Sequence, residues 1–347
     1  MTREIFVPGR LCLFGEHSDW AGSYRTRDPG VEPGLCLVTG TDQGIHSVVE
    51  ASPDGVLDVR QVNPDGSPGE WRTYPADPAH LARAAADRGF DAYIAGTACV
   101  VLERYGAGGL RLDVRRRTLP LKRGLSSSAS ICVTTARAFG QIYDLGLSLD
   151  DEMELAWRGE LLTGSTCGRM DQVCAFGGGP VMLTFDGEGM RIEPLHPARD
   201  ICILLVDLNS SKDTRRILSD LNAAFAAGKP QLRDALGPSN RRILGEARQA
   251  LESGNTEALG HLMTEAQMVF DRQVVPSSPM ELRAPALHSV LLHPAAAELA
   301  WGGKGVGSQG DGTAQFVCRG SAERSELAAR LSGELDVACL DLTIRGR

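Results

Sequence analysis

Leu119–Ser130 reads Leu-Pro-Leu-Lys-Arg-Gly-Leu-Ser-Ser-Ser-Ala-Ser. Pro120 favours an extended approach and Gly124 permits a turn. Ser126, Ser127 and Ser128 then lead into Ile131–Tyr143, a segment of helical pattern. The first N–H groups of a helix have no internal partner and carry the positive end of the dipole, so a small-residue loop feeding a helix start is suited to an anion. A serine-rich cap is the plain alternative. One cap needs one serine, however, and three in a row give up helix propensity. The stretch is therefore read as a phosphate loop.

The chain has 347 residues, 42% hydrophobic and 23% charged, enough for two globular domains. A net charge of -8 argues against a nucleic-acid surface, which needs clustered Lys and Arg. The one basic run, Arg115–Arg117 with Lys122 and Arg123, flanks the serine loop. It is either a solvated strand end or a local field for an anionic ligand. The start, Met-Thr-Arg-Glu-Ile-Phe, lacks the build of a signal peptide, and no apolar run reaches membrane-spanning length. The nine cysteines form no CxxC pair, and Cys12, Cys132 and Cys202 sit in apolar stretches as small hydrophobes. These features predict a reduced, cytoplasmic protein with no nucleic-acid or membrane partner.

Pattern predicts strand, turn and strand over Glu4–Phe14, and further strands at Leu35–Thr39, Ile45–Ala51, Val56–Val62 and Leu110–Arg115. Asn63–Pro78 reads as loop. Helices are expected at Ala79–Arg88 and Ala92–Tyr105, and a capping-box start at Ser148–Asp151. Strands recur at Val181–Phe185 and Ile201–Val206, and Ser211–Leu292 is nearly all helical in pattern. The tail returns to strand, helix and strand. A strand-rich first half and a helix-rich second half predict an α+β protein of two domains, 1–195 and 196–347.

Four constellations carry polar chemistry. Pro8–Trp20 is an apolar strand that ends at Gly15 and delivers Glu16, His17 and Asp19 together, suited to the hydroxyls of a polyol. A loop capped by Asp19 is the alternative. Helical spacing puts Leu149, Met153, Ala156 or Trp157, and Glu160 on one apolar face. A buried Glu160 requires a cation or strong donors: an arginine, or Mg²⁺, which takes one or two carboxylates plus phosphate oxygens. In Gly164–Gln172 a glycine-flexed loop presents Asp171 beside Arg169, where a carboxylate could orient or accept a hydroxyl proton. Gly305, Gly307 and Gly310 match GxGxxG literally, but a strand pattern at Thr313–Cys318 follows where a dinucleotide site needs a helix. No GxxxxGK[ST], HExxH or GxSxG occurs.

In this order the segments resemble the GHMP kinase family. Residues 8–20, PGRLCLFGEHSDW, are similar to its first motif in the form found in galactokinases, and residues 119–130 to its ATP phosphate loop. Residues 160–172, ELLTGSTCGRMDQ, are similar to the galactokinase segment in which a Glu precedes a CGxMDQ loop. Residues 302–312, GGKGVGSQGDG, stand in the place of the glycine-rich third motif. The resemblance implies an N-terminal ribosomal-protein-like domain and a C-terminal ferredoxin-like domain, with ATP and Mg²⁺ as cofactors. It implies that Gly124, Leu125, Ser126, Ser127, Ser128 and Ala129 cradle phosphate, that Ser128 and Glu160 hold Mg²⁺, and that Asp171 and Arg10 serve the transfer. Glu16, His17 and Asp19 would hold a sugar-like substrate.

The segments also depart from galactokinases: Trp-Ala-Gly-Ser-Tyr-Arg follows Asp19, and Gln309 and Asp311 stand in the third motif. A sugar, a uronic acid and a cyclitol all fit, with a sugar 1-kinase favoured. A kinase of a mevalonate- or homoserine-type alcohol and a catalytically silent ligand sensor are the alternatives. Lys212, Arg215 and Arg216 are expected to be a solvated helix start. Met263–Val269 fits an ordinary core helix, and the protein is expected to be a monomer or homodimer.

Overall fold

The structure, a computed structural model, describes residues 2–347 except 64, 88, 90, 120–124, 166 and 211. The chain forms two compact units. The first holds Met1–Arg10 and Gly40–Gly178, and the second holds Leu11–Thr39 and Gly179–Arg347. The chain passes between them within its first two strands, β1 (Thr2–Phe14) and β2 (Gly34–Ser52). The division expected at 195/196 falls between two strands of the second unit.

In the first unit β3 (Val56–Arg60), β4 (Arg72–Pro75) and β5 (Gly109–Arg117) join β2 in the order β4-β3-β5-β2. β5 runs parallel to β3 and antiparallel to β2. Helices of this unit are Pro78–Ala86, Ala92–Tyr105, Ser127–Ile142 and Leu149–Leu161, which are α2 to α5 because α1 (Ser18–Ser23) precedes them in the second unit. Leu57, Val59, Leu110 and Leu112 of the sheet and Ile94, Ala98, Val133 and Leu155 of the helices are buried. α3 and α5 approach closely where Gly96 meets Gly159. A Cβ on Gly159 would lie 2.4 Å from the Thr97 Cα, so this contact needs glycine and fixes the last turn of α5, which carries Glu160.

β1 is continuous through Pro8-Gly9, where a turn is expected from the sequence. Gly9 bends nothing. Its missing Cβ admits the Leu125 carbonyl, which would lie 2.8 Å from such an atom, and the Arg10 N–H donates to that carbonyl at 3.2 Å. β2 is likewise one strand across both predicted segments, and β4 lies within the predicted loop. Ser148 and Asp151 form the expected capping box at the start of α5.

The second unit holds β6 (Pro180–Asp186) and β7 (Gly189–Pro194), with β6 pairing the 34–39 end of β2. Its four-stranded antiparallel sheet is built from β8 (Ile201–Asp207), β9 (Ala300–Gly305), β10 (Thr313–Cys318) and β11 (Ala338–Ile344) in the order β11-β8-β10-β9. Numbered from β8 this is 4-1-3-2, with helices between the first two strands and the last two, which is the ferredoxin-like topology. Between β8 and β9 run α6 (Thr214–Ala226), α7 (Pro230–Leu236), α8 (Pro238–Ser253), α9 (Thr256–Gln273) and the short α10 (Pro279–Leu282), α11 (Pro285–Leu291) and α12 (Pro294–Leu299). α13 (Ser321–Glu334) precedes β11. One core packs Leu204, Val206 and Phe316 of the sheet against Leu287, Leu327 and Leu331. A second gathers Ile217, Leu221, Phe225, Leu232 and Phe270. Of the Met263–Val269 segment expected in the core, Met263 is buried in α9, whereas Met268 is 54% exposed.

Candidate active site

In the first unit the serine stretch opens α4. The helix begins at Ser127, four residues before the predicted start. Ser126 precedes it in the left-handed region at φ 54°, its side chain makes no cap, and its hydroxyl is buried without a partner. Left-handed backbone in a non-glycine residue costs free energy and concentrates at functional sites. Ser130 fixes the first turn by donating to the Pro8 carbonyl at 2.8 Å, which ties α4 to β1. Leu125 and Ala129 are buried, whereas Ser127 and Ser128 remain partly exposed. Gly124, with Lys122 and Arg123 of the basic run, lies outside the described residues. Arg115 is an exposed strand-end residue paired with Asp113.

Glu160 is buried on α5, as predicted, though Leu149 of the same expected stripe is 40% exposed. Its carboxylate accepts from Gln172 Nε2 at 2.8 Å, and among the described residues it pairs with no arginine. Burial, and then the charge of Asp171, push its pKa up to about 7, while hydrogen bonds from Ser128 and Gln172 oppose the rise. A carboxylate so placed is short of positive charge. Ser128, Glu160 and the nearby Asp171 thus fit Mg²⁺, which takes one or two carboxylates and leaves its other positions to phosphate and water. Among the described residues no set of three His, Cys, Asp or Glu forms a closed metal cage.

This raised pKa has a stability consequence. Ionised Glu160 destabilises the fold; the penalty is absent below about pH 4.5 and complete above about pH 7. Without Mg²⁺ or nucleotide, Glu160→Gln is therefore expected to raise stability at pH 8 by on the order of 3 kcal/mol and to change little near pH 4.5. Urea melts at the two pH values measure this. Loss of stability at pH 8 would instead mark Glu160 as a structural partner.

Asp171 begins a 3-10 turn, Asp171–Phe176. Its Oδ1 accepts from Arg10 Nε at 3.1 Å and also from Arg10 Nη2. The structure thus joins two residues 161 positions apart, with Arg10 6% and Asp171 25% exposed in their side chains. Arg169, the neighbour expected from sequence, lies over the Trp157 ring and pairs with Glu154 at 3.5 Å.

In the second unit Glu16 and His17 are buried just beyond the end of β1, and Asp19 lies in the first turn of α1. Glu16 pairs with Lys304 of β9, a residue the sequence reading passed over; their side chains are 5% and 2% exposed. Lys304 also donates to the Gly305 carbonyl at 2.8 Å. His17 stands in the left-handed region at φ 70°, and its Nδ1 accepts from Trp20 Nε1 at 3.2 Å. Burial, then the charges of Lys212 and Lys304, lower its pKa to about 4, so the imidazole is neutral. The Ser308 carbonyl opposes this fall without making a hydrogen bond of ordinary geometry to Nε2, which has no partner.

Lys212 corrects the expected solvated helix start. It is half-buried, and its ammonium donates to the Gln309 carbonyl and, at 3.4 Å, to that of Val306. Arg215 and Arg216 are exposed. The GxGxxG lookalike runs from β9 into β10, strand to strand, without the helix a dinucleotide site needs. Glu16, Lys304 and Gln309 form one wall of a small cavity of about 40 Å³ whose other lining includes Phe14, Leu236 and Phe270.

Residues 92–179 match the family model of the GHMP kinases N terminal domain. Mevalonate kinase of Methanococcus jannaschii is similar over 100% of this chain and 99% of its own, with a TM-score of 0.76 at 16% identity. Lactococcus lactis galactokinase, solved with galactose, is similar over 99% and 94%, with a TM-score of 0.74 at 19% identity. A D-glycero-D-manno-heptose 1-phosphate kinase of Bacteroides thetaiotaomicron is similar over 100% and 97%, with a TM-score of 0.63 at 16% identity. Among the described residues no helix is long and apolar enough to cross a membrane.

Proposed function

We propose that this chain, whose residues 92–179 match the GHMP kinases N terminal domain and whose fold is that of the kinases above, transfers the γ-phosphoryl group of ATP to a hydroxyl of a small polyhydroxylated substrate, a sugar, uronic acid or cyclitol, with a sugar 1-kinase favoured. The observation that carries this reading is the Arg10–Asp171 pair, in the same compact unit as Ser128, Glu160 and the start of α4. Phosphoryl transfer asks for position and charge neutralisation more than covalent chemistry.

Each residue then has a role. Gly124–Ala129 hold phosphate with the free N–H groups of the helix start. Ser128 and Glu160 hold Mg²⁺, which when bound supplies positive charge to the phosphates. Asp171 orients the acceptor hydroxyl or takes its proton, and Arg10 orients Asp171 and adds positive charge. His17 and Asp19 hold the substrate, while Glu16 contributes through the lysine it fixes. His17 Nε2, buried without a partner, favours a polyhydroxylated substrate over an apolar alcohol, which would leave that nitrogen unpaired.

ADP release tests this with sugars, uronic acids and cyclitols, with mevalonate and homoserine included. Mg²⁺-dependent release is expected with a polyhydroxylated acceptor. Turnover of mevalonate or homoserine alone would overturn the substrate class. Sugar binding without ADP release would instead identify a ligand sensor.

A further inference from the structure

We propose that Lys212, together with the Nε2–H of His17, receives a carboxylate of the acceptor, so that within the polyhydroxylated class argued above the substrate is an acid sugar of the uronic type. The inference rests on the kinase reading above and narrows its substrate. Lys212 is a half-buried ammonium, and among the described residues it forms an ion pair with no carboxylate. Its two acceptors are backbone carbonyls, which leave one of its three hydrogens uncommitted. Glu16 acts on Lys212 through charge, ahead of Asp311, but its carboxylate is paired with Lys304. Asp311 acts on Lys212 through charge, but its Oδ1 is held by the Leu287 N–H at 2.9 Å. A half-buried cation that no carboxylate contacts directly is only partly compensated, and a ligand that brings a carboxylate completes the pairing.

His17 supplies the second, independent observation. An indole N–H can only donate, so the bond from Trp20 leaves His17 Nδ1 bare and puts the imidazole proton on Nε2. That N–H is a buried donor with no acceptor, in a residue 5% exposed. It lies close enough to Lys212 and Lys304 for both charges to act on the ring. An uncommitted ammonium hydrogen and the His17 N–H thus lie close enough for the Lys212 charge to act on the ring, and among the described residues neither is held by a carboxylate; a ligand carboxylate presents two acceptor oxygens with a full negative charge. The left-handed backbone of His17 and of Gln309, at φ 70° and 62°, is strain held at this place. Asn209 and Ala284 in the same unit share that conformation, so strain alone would not single out the site.

The plain competitor is that Lys212 is only a staple for the 306–312 loop. Matched pairs separate the two: glucuronate against glucose and galacturonate against galactose, with the hexose 6-phosphates as a third arm. Each is measured by calorimetry without ATP and by ADP release with it. Wild type is expected to prefer the uronate over its neutral partner by about tenfold or more, the scale of one charge-assisted hydrogen bond. That ratio should fall toward one in Lys212→Met and be largely kept in Lys212→Arg. Absence of a uronate preference in the wild type overturns the proposal whatever the variants do. Equal weakening of both congeners in Lys212→Met also overturns it, in favour of the staple. Preference for a 6-phosphate over the uronate overturns the carboxylate assignment. Neutral hexoses turned over without discrimination would sink this inference and leave the kinase reading standing. Discriminating uronate binding with no ADP release would do the reverse.

Discussion

Asp171→Asn is expected to lower kcat by about 100- to 10,000-fold, the usual effect of losing a general base or its equivalent. The asparagine keeps the shape and can still accept from Arg10 through its amide oxygen, so nucleotide and acceptor should bind nearly as before. The residue lies on a 3-10 turn with its side chain one-quarter exposed, so the change opens no core cavity. Arg10→Lys is expected to lower kcat as well, because a lysine cannot reproduce the Nε and Nη2 contacts to one carboxylate oxygen. If the pair acts on one transition state, the double variant should lose far less than the product of the single losses. ADP release on the acceptor found by the panel, with binding followed by calorimetry, measures all three proteins. A near wild-type kcat for Asp171→Asn would break the catalytic assignment and turn attention to Asp19.

What sequence made legible here was local. The serine run announced a helix start, and the Ser148–Asp151 box announced another, because both signals lie within one turn of the residues they organise. Burial of Glu160 followed from spacing alone. Long-range choices were not visible. Asp171 has Arg169 two positions away, yet its partner is Arg10, 161 positions distant. Lys212 looked like a solvated helix start because nothing near it is apolar; its burial comes from a loop 94 to 97 residues later. Pro8-Gly9 looked like a turn because the pair usually is one, and the carbonyl that needs the glycine's open side belongs to Leu125. β7 was missed because its apolar alternation, Met190-Arg191-Ile192-Glu193, spans only four residues between a glycine and a proline and none of them is fully buried.

Lys304→Met is expected to be the most destabilising of the site variants. Glu16 and Lys304 are both almost fully buried, in a motif end and a β-strand 288 positions apart. Pairing offsets the cost of desolvating the two charges; removing one partner leaves the other charged and unsolvated, at roughly 3–5 kcal/mol. The methionine fills similar space, so the loss would be electrostatic and not a cavity effect. Glu16→Gln alone should cost comparably, because the ammonium then keeps only the Gly305 carbonyl. The double variant Glu16→Gln with Lys304→Met should recover much of the loss, since no buried charge remains. Denaturant melts of the four proteins close this cycle, and a coupling of several kcal/mol is the expected result. If Lys304→Met instead costs under about 1 kcal/mol, water reaches Glu16 in the variant. Lys304 would then be held at this position by the substrate and not by the fold, and its loss should appear in the acceptor KM in place of the melt.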